Sequence, residues 1–387
     1  MRILHTSDWH IGRSFHGHST LDALRSVLDG LVSEVRERAV DLVVVAGDVF
    51  DSAMPAADCY RLLTDVLTGI REAGARVVVT SGNHDSPARL GFQAPLLREG
   101  IHVATDPGAI GTPITLDDEH GPVHIYPIPY LEPALVRHLW PEETLRTHEQ
   151  VVRHAMRLIN DDRAARGGRS VAIAHIFAAG VEATPQLERE VRQSLTQGTL
   201  DVVPVADLEG PDYIALGHIH GRAQLSDRVR YAGAPLHYSF GEADKPRGAW
   251  LVELDAEGLA ATDWIDFAVP RPLVTLDGTI EELLSAPEYD AHADSWVCAV
   301  LTDRTAPLEP MRRLRQRFPF CATIERRPDG DADERAASYR DRVGRGTPDP
   351  QIVDGFLRHV RRGEAATEDE ARIIADVVAA HGAEVAR

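Results

Sequence analysis

Five short apolar runs in this chain each end in side chains that bind metals, and no other feature limits its fold so tightly. Ile3 to Thr6 leads into Asp8-Trp9-His10. Leu42 to Ala46 leads into Gly47-Asp48-Val49-Phe50-Asp51, and Val77 to Thr80 into Gly82-Asn83-His84-Asp85. Further on, Val171 to Ala174 runs into His175, and Tyr213 to Leu216 into Gly217-His218-Ile219-His220. Runs of four or five apolar, mostly β-branched residues read as strands buried on both faces. Such strands form open α/β sheets, in which ligands gather beyond the carboxyl ends. Glycines ahead of Asp48, Asn83 and His218 let the backbone turn sharply beside a bound group. Singly these turns carry little weight, because Asp-x-His is common by chance; it is their conjunction that points to one rim of metal donors.

Two more runs, Val123 to Tyr126 and Trp250 to Leu254, complete a strand set for roughly the first 270 residues. Between them, Leu21, Leu24, Leu28, Leu31 and Val35 have the helical period. So do Tyr60, Leu63, Leu67 and Ile70, ahead of a stop at Gly74. These spacings predict an α/β domain over 1–269. After Val269 come Pro270 and Pro272, then a strand at Trp296 to Leu301 and an arginine-rich helix at Leu308 to Phe318, so 270–328 reads as a small second α/β domain. The polar stretch 329–348 reads as a linker. Within 349–387, Ile352, Val353, Phe356, Leu357 and Val360 share one helix face. A capping box, Thr367 to Glu370, opens a second helix through Ile374, Val377 and Val378. So small a pair cannot bury two apolar faces by itself, and docking on a partner is expected.

Over 387 residues, 41 basic side chains face 60 acidic ones, for a net charge of −19. That excludes a broad basic footprint for nucleic acid. A carboxylate-lined site that holds divalent cations can still bind phosphate, since the ions reverse the local sign. Lys245 is the single lysine, which base-composition bias explains better than selection for phosphate binding. No apolar run is long enough to span a bilayer, and Asp8 and His10 break the N-terminal apolar stretch before it could act as a signal peptide, so a cytoplasmic location with no membrane partner is expected. Cys59, Cys298 and Cys321 are far apart and odd in number, which favours buried free thiols over disulfides or a thiolate site.

In order, Asp8-x-His10, Gly47-Asp48-x-x-Asp51, Gly82-Asn83-His84-Asp85, His175 and Gly217-His218-x-His220 resemble the calcineurin-like metallophosphoesterase family. Ser7 to Gly12, Tyr231 to Pro235, and Ser239 to Glu242 followed by Lys245 and Gly248 are similar, more narrowly, to the SbcD-type nuclease subunits, relatives of the Mre nucleases of double-strand-break repair. The resemblance implies a β-sandwich flanked by helices, with a small α/β capping domain that positions DNA and a C-terminal helical pair. It also implies two Mn²⁺ ions, with Fe²⁺ or Mg²⁺ as alternatives. Asp8, His10, Asp48 and His220 would hold one ion and Asn83, His175 and His218 the other, with Asp48 shared. His84 would act on the phosphate, and Asp51 and Asp85 would stand behind the imidazoles. The implied activity is that of a DNA exonuclease on double-stranded ends and an endonuclease on single strands and hairpins. The implied assembly is a homodimer within a heterotetramer with an SbcC-type, SMC-like ATPase, anchored by Phe356, Leu357 and Val360. Arg13, His16 and His18, or the arginines at 312, 313, 315 and 317, could meet DNA phosphates, although solvated surface is an equal or better reading of them. A small-molecule phosphodiesterase and a non-catalytic DNA-end tether are the alternatives.

Overall fold

The computed structural model describes residues 1–178, 202–328, 348–360 and 365–385. It divides into two compact units, Met1–Val274 and Thr275–Arg387. The strands of the first unit's two large sheets are, in chain order, β1 (Arg2–Thr6), β2 (Leu42–Ala46), β3 (Arg76–Thr80), β4 (Ile101–Ala104), β5 (Ile114–Asp118), β6 (Gly121–Ile128), β7 (Arg169–His175), β8 (Tyr213–Gly217), β9 (Ala223–Gln224), β10 (Val229–Tyr231), β11 (Gly248–Leu254) and β12 (Leu259–Asp266). One sheet runs β12-β11-β1-β2-β3-β4 and the other β9-β10-β8-β7-β6-β5. Strands β1 to β4 are mutually parallel, as are β6, β7, β8 and β10, whereas β11 returns antiparallel against β1.

The alternation along β2 explains why these runs are apolar throughout. Leu42, Val44 and Ala46 turn inward to meet Val123, Ile125, Val171, Ile173 and Tyr213 between the sheets. Val43 and Val45 turn outward, under α1 (Leu21–Glu37) and α2 (Ala57–Glu72). On the far side, α3 (His148–Arg166) covers the second sheet with Val151, Val152, Ala155, Met156 and Ile159. Each central strand is thus buried on both faces, as a parallel sheet covered by helices requires. The fold is a β-sandwich flanked by helices, and Gly74 closes α2 at φ +105°. Cys59, Cys298 and Cys321 are buried free thiols. Tyr60 lies only at the edge of the α2 core, tilted against Phe50 at 5.0 Å.

At the end of the sandwich away from the carboxyl termini of β1 to β3, Arg169 grips Asp118 with both terminal nitrogens, at 2.5 and 2.9 Å. That bond holds the Asp118 carboxyl well below the usual carboxylate range, against a smaller opposing effect of burial. A depressed carboxyl contributes stability above its unfolded pKa and loses it as pH falls through the folded value. Urea midpoints should therefore drop below about pH 4. Asp118→Asn should cost about 2 kcal/mol at pH 7, the scale of a charged hydrogen bond, and flatten part of that acid limb. An unchanged midpoint in the variant would deny the pair this role.

The second unit contains β13 (Leu273–Gly278, which begins at the boundary), β14 (Trp296–Leu301) and β15 (Cys321–Arg326) in one sheet of that order, with β14 and β15 parallel. The helix expected over Leu308–Phe318 forms only over Pro310–Leu314. Its arginines are engaged locally: Arg312 with Glu309, Arg313 with Glu281, Arg315 with the Cys321 carbonyl, and Arg317 with Asp290 and the Leu283 carbonyl. That partnering argues for a structural face rather than a phosphate-binding one. The last two helices are α4 (Asp349–Val360) and α5 (Glu368–Val385), and the second opens with the expected reciprocal bonds between Thr367 and Glu370. Apart from Pro348, the expected linker lies outside the described residues, as does the side chain of Val360. Among the described residues, no helix is long and apolar enough to cross a membrane.

Candidate metal centre

The turns after β1, β2, β3, β7 and β8 converge at one end of the sandwich. Backbone bonds tie the first two together: Asp8 N–H donates to the Gly47 carbonyl, and His10 N–H to the Asp48 carbonyl. Side chains at Gly47 or Gly82 would strike the His175 ring or the Asp48 carboxylate and amide, which is why both turns carry glycine. Three groups of donors each lie within 4.8 Å: Asp8, His10 and His220; His10, Asp48 and His84; and Asp8, Asp48 and His175. His10 Nε2 is 3.1 Å from His220 Nε2 and 3.6 Å from Asp48 Oδ2, and that same Oδ2 is 3.3 Å from His175 Nε2. Asn83 Oδ1 joins the third group at 3.0 Å from His175 Nε2 and brings in His218, whose Nδ1 is 3.1 Å away. All seven expected ligands are therefore brought together, with His84 beside them.

The electrostatics of the cluster call for a cation. His175 donates Nδ1–H to the Ala46 carbonyl at 2.9 Å, so a neutral ring has only a lone pair left on Nε2, and that lone pair faces the oxygens of Asn83 and Asp48. Three acceptors converge, and only a proton or a metal ion relieves them. Burial resists charge on His175, but the Asp48 carboxylate outweighs it and raises the ring to about 9. Burial raises Asp8 despite the opposing pull of His175 and His220, with the Asp48 charge adding to the rise. His218, desolvated and next to His175, falls to about 3 and presents a neutral imidazole. The backbone is strained at these same positions. Of seven non-glycine residues with positive φ among those described, four are Asp8, His10, Asp48 and His218. Strain of this kind persists where the surrounding structure over-determines a functional geometry. The donor set fits a pair of divalent ions.

The residues around the donors differ in part from expectation. His84 is half-buried, donates its backbone N–H to Asp48 Oδ1 and its Nδ1–H to the Asp51 carbonyl, both at 2.9 Å, and sets its ring edge-on to His10. Asp51 does stand behind an imidazole, 3.4 Å from His10 Nδ1, and also pairs with Arg13 at 3.2 Å. Asp85 does not. Its carboxylate accepts the backbone N–H groups of Gly82, Val49 and Phe50 at 2.9 to 3.0 Å, locking two metal turns to each other. Burial and the Asp48 charge nevertheless hold it up at about 6. Sequence reasoning missed the outer bracket formed by Tyr238, Glu242 and Arg247. The Tyr238 hydroxyl donates to the Trp9 carbonyl at 2.8 Å, and its ring lies against both His10 and His220. Burial would raise Glu242, but His220 and then Arg247 bring it down to about 2. Only the run Ser239 to Glu242 hinted at this region, and it carries no donor spacing. His16 is exposed at a hairpin tip, with its ring against Phe15 and Phe240.

A phosphoester-processing metal site on a helix-flanked β-sandwich is what this arrangement describes. Residues 1–222 match the profile of the calcineurin-like phosphoesterases, and the chain belongs to that family. Residues 269–348 match a second family, the SbcD C-terminal domain, described as the type 5 capsule protein repressor C-terminal domain, so the architecture is SbcD-like. Similar solved structures include the TT1561 protein of Thermus thermophilus (13% identity, 68% of this chain and 98% of that one, TM-score 0.37). Another is a dimetal phosphatase from Danio rerio (14% identity, 69% and 99%, TM-score 0.38). The family and the donor clusters together imply a dimetal centre and a metal-dependent phosphoesterase.

Proposed function

We propose that this chain is the nuclease subunit of an SbcCD-type complex, a Mn²⁺-dependent DNA exonuclease and endonuclease of repair and recombination. The observation that carries the reading is the co-occurrence, in one chain, of seven converging metal donors with a C-terminal segment matching the SbcD family. Asp8, His10, Asp48 and His220 would hold one ion, and Asn83, His175 and His218 the other, with Asp48 serving both. The mix of imidazole and carboxylate donors suits Mn²⁺ or Fe²⁺ better than Mg²⁺. A bound pair supplies Lewis acidity that neutralises the phosphodiester and acidifies water. With Nδ1–H donated to the Asp51 carbonyl, a His84 ring that also carries a proton on Nε2 would donate that N–H to the phosphate or pass the proton to the leaving oxygen. Asp85 keeps the β2 and β3 turns in register. Residues 270–328 would cap and position the DNA.

The deciding assay compares blunt duplex DNA with a small bis-aryl phosphate, under Mn²⁺, Mg²⁺ or chelator, with and without the ATPase. Mn²⁺-dependent duplex degradation stimulated by the ATPase supports the reading. Turnover of the aryl ester alone would return the chain to the small-molecule phosphodiesterases, and no metal-dependent cleavage would leave a tether.

The terminal pair is read as the ATPase dock. Phe356 on α4 and Ile373 and Val377 on α5 are half or more exposed, and Leu357 is partly so. Ile373 was not anticipated from the sequence. Deleting 349–387 should abolish co-elution with the ATPase on gel filtration while leaving Mn²⁺-dependent aryl phosphodiesterase turnover in place. A truncated chain that still co-elutes would refute the dock.

A further inference from the structure

The dimetal reading assigns no task to the buried charges behind His220. Glu242 and Arg247 are 6% and 3% exposed and pair at 2.5 Å through Glu242 Oε2. Glu242 Oε1 faces His220 Nδ1 at 3.7 Å, on the ring edge opposite the Nε2 that meets His10. The other terminal nitrogen of Arg247 donates to the His220 backbone carbonyl. One guanidinium therefore holds both the main chain of His220 and the carboxylate behind its ring. The bracket is itself anchored: Tyr238 N–H donates to Glu242 Oε2 at 3.2 Å, and Lys245 N–H to the Glu242 carbonyl at 2.9 Å. Buried ion pairs are costly to desolvate and contribute little net stability, so such a pair aimed at one imidazole needs another reason to be there.

We propose that Glu242 and Arg247 are positioning residues for His220, holding its proton on Nδ1 and its lone pair on Nε2, and so set the affinity of one ion of the pair without touching the other. The inference rests on the dimetal reading. A carboxylate beside Nδ1 stabilises the N–H dipole directed at it, which selects the metal-binding tautomer and makes Nε2 more basic; partners of this kind are worth about 10- to 100-fold in metal affinity. His175 receives its Nδ1 partner from the Ala46 carbonyl instead, so the device acts on one side of the centre alone.

The test is calorimetric titration of Mn²⁺ into the chelator-treated full chain, with thermal melting of the same samples. Wild type should take up two ions. Glu242→Gln should weaken one of the two affinities about 10- to 100-fold and leave the other unchanged. Because that change strands Arg247, the charge-free pair Glu242→Gln with Arg247→Met is made as well, and it should melt near the wild-type temperature yet show the same selective loss. In a His220→Gln background, Glu242→Gln should weaken binding no further. Two ions at wild-type affinity in both Glu242 variants overturns the inference alone, as does an additive loss in the His220→Gln background. A wild type that binds fewer than two ions overturns the dimetal reading and this inference with it.

Discussion

Asp48→Asn should abolish metal-dependent cleavage and leave at most one weakly bound ion in calorimetric titration. Asp48 belongs to two of the three donor groups. Its Oδ2 stands 3.6 Å from His10 Nε2 and 3.3 Å from His175 Nε2, so it lies between donors expected for the two ions. Its Oδ1 accepts the His84 backbone N–H. Burial would raise this carboxyl, yet the His175 charge and hydrogen bond, aided by His10, bring it well below the ordinary value, and the site is therefore built around its negative charge. Asparagine keeps the shape and an acceptor for the His84 amide while removing the charge, so the fold should survive and the ion pair should not. Aryl phosphodiesterase turnover within roughly tenfold of wild type would remove Asp48 from the centre, because two-metal catalysis depends on the spacing a shared ligand imposes.

His84→Ala should keep both ions and lose at least about a hundredfold in turnover. The ring is tethered by one bond to the Asp51 carbonyl and by an edge contact with His10, so its removal leaves the other donors in place. The role also predicts a dependence on the leaving group. A group that protonates a departing oxygen matters most when that oxygen is a poor leaving group, so the loss should be larger on DNA than on a bis-aryl phosphate. Equal losses on both substrates would assign His84 to phosphate binding in place of acid catalysis. Near wild-type turnover on both would dismiss it from the chemistry.

What could be read from the residues follows from local physics. A parallel strand under two layers must be apolar on both sides, so β1, β2, β3, β7 and β8 were visible as runs, and their donors follow within a few residues. Asp85 shows where that logic stops. In the sequence it is a carboxylate beside His84 and reads as an imidazole partner, but the tight turn puts it closer to the amides of Gly82, Val49 and Phe50. The arginines after Leu308 look like a phosphate-binding face until Glu281, Asp290 and carbonyls distant in sequence occupy them.

The amino-acid order by itself determined the architecture, the chain order of the turns and which metal-binding side-chain types those turns carry, because burial and donor chemistry are properties of short segments. Only the tertiary structure decided which nitrogen of each imidazole turns inward, and that Tyr238, Glu242 and Arg247 stand behind His10 and His220. Ring orientation is set by whichever acceptor lies on the far edge. For His175 that acceptor is the Ala46 carbonyl, 129 residues away, and for His220 the group facing Nδ1, at 3.7 Å, is Glu242, from a segment with no pattern of its own.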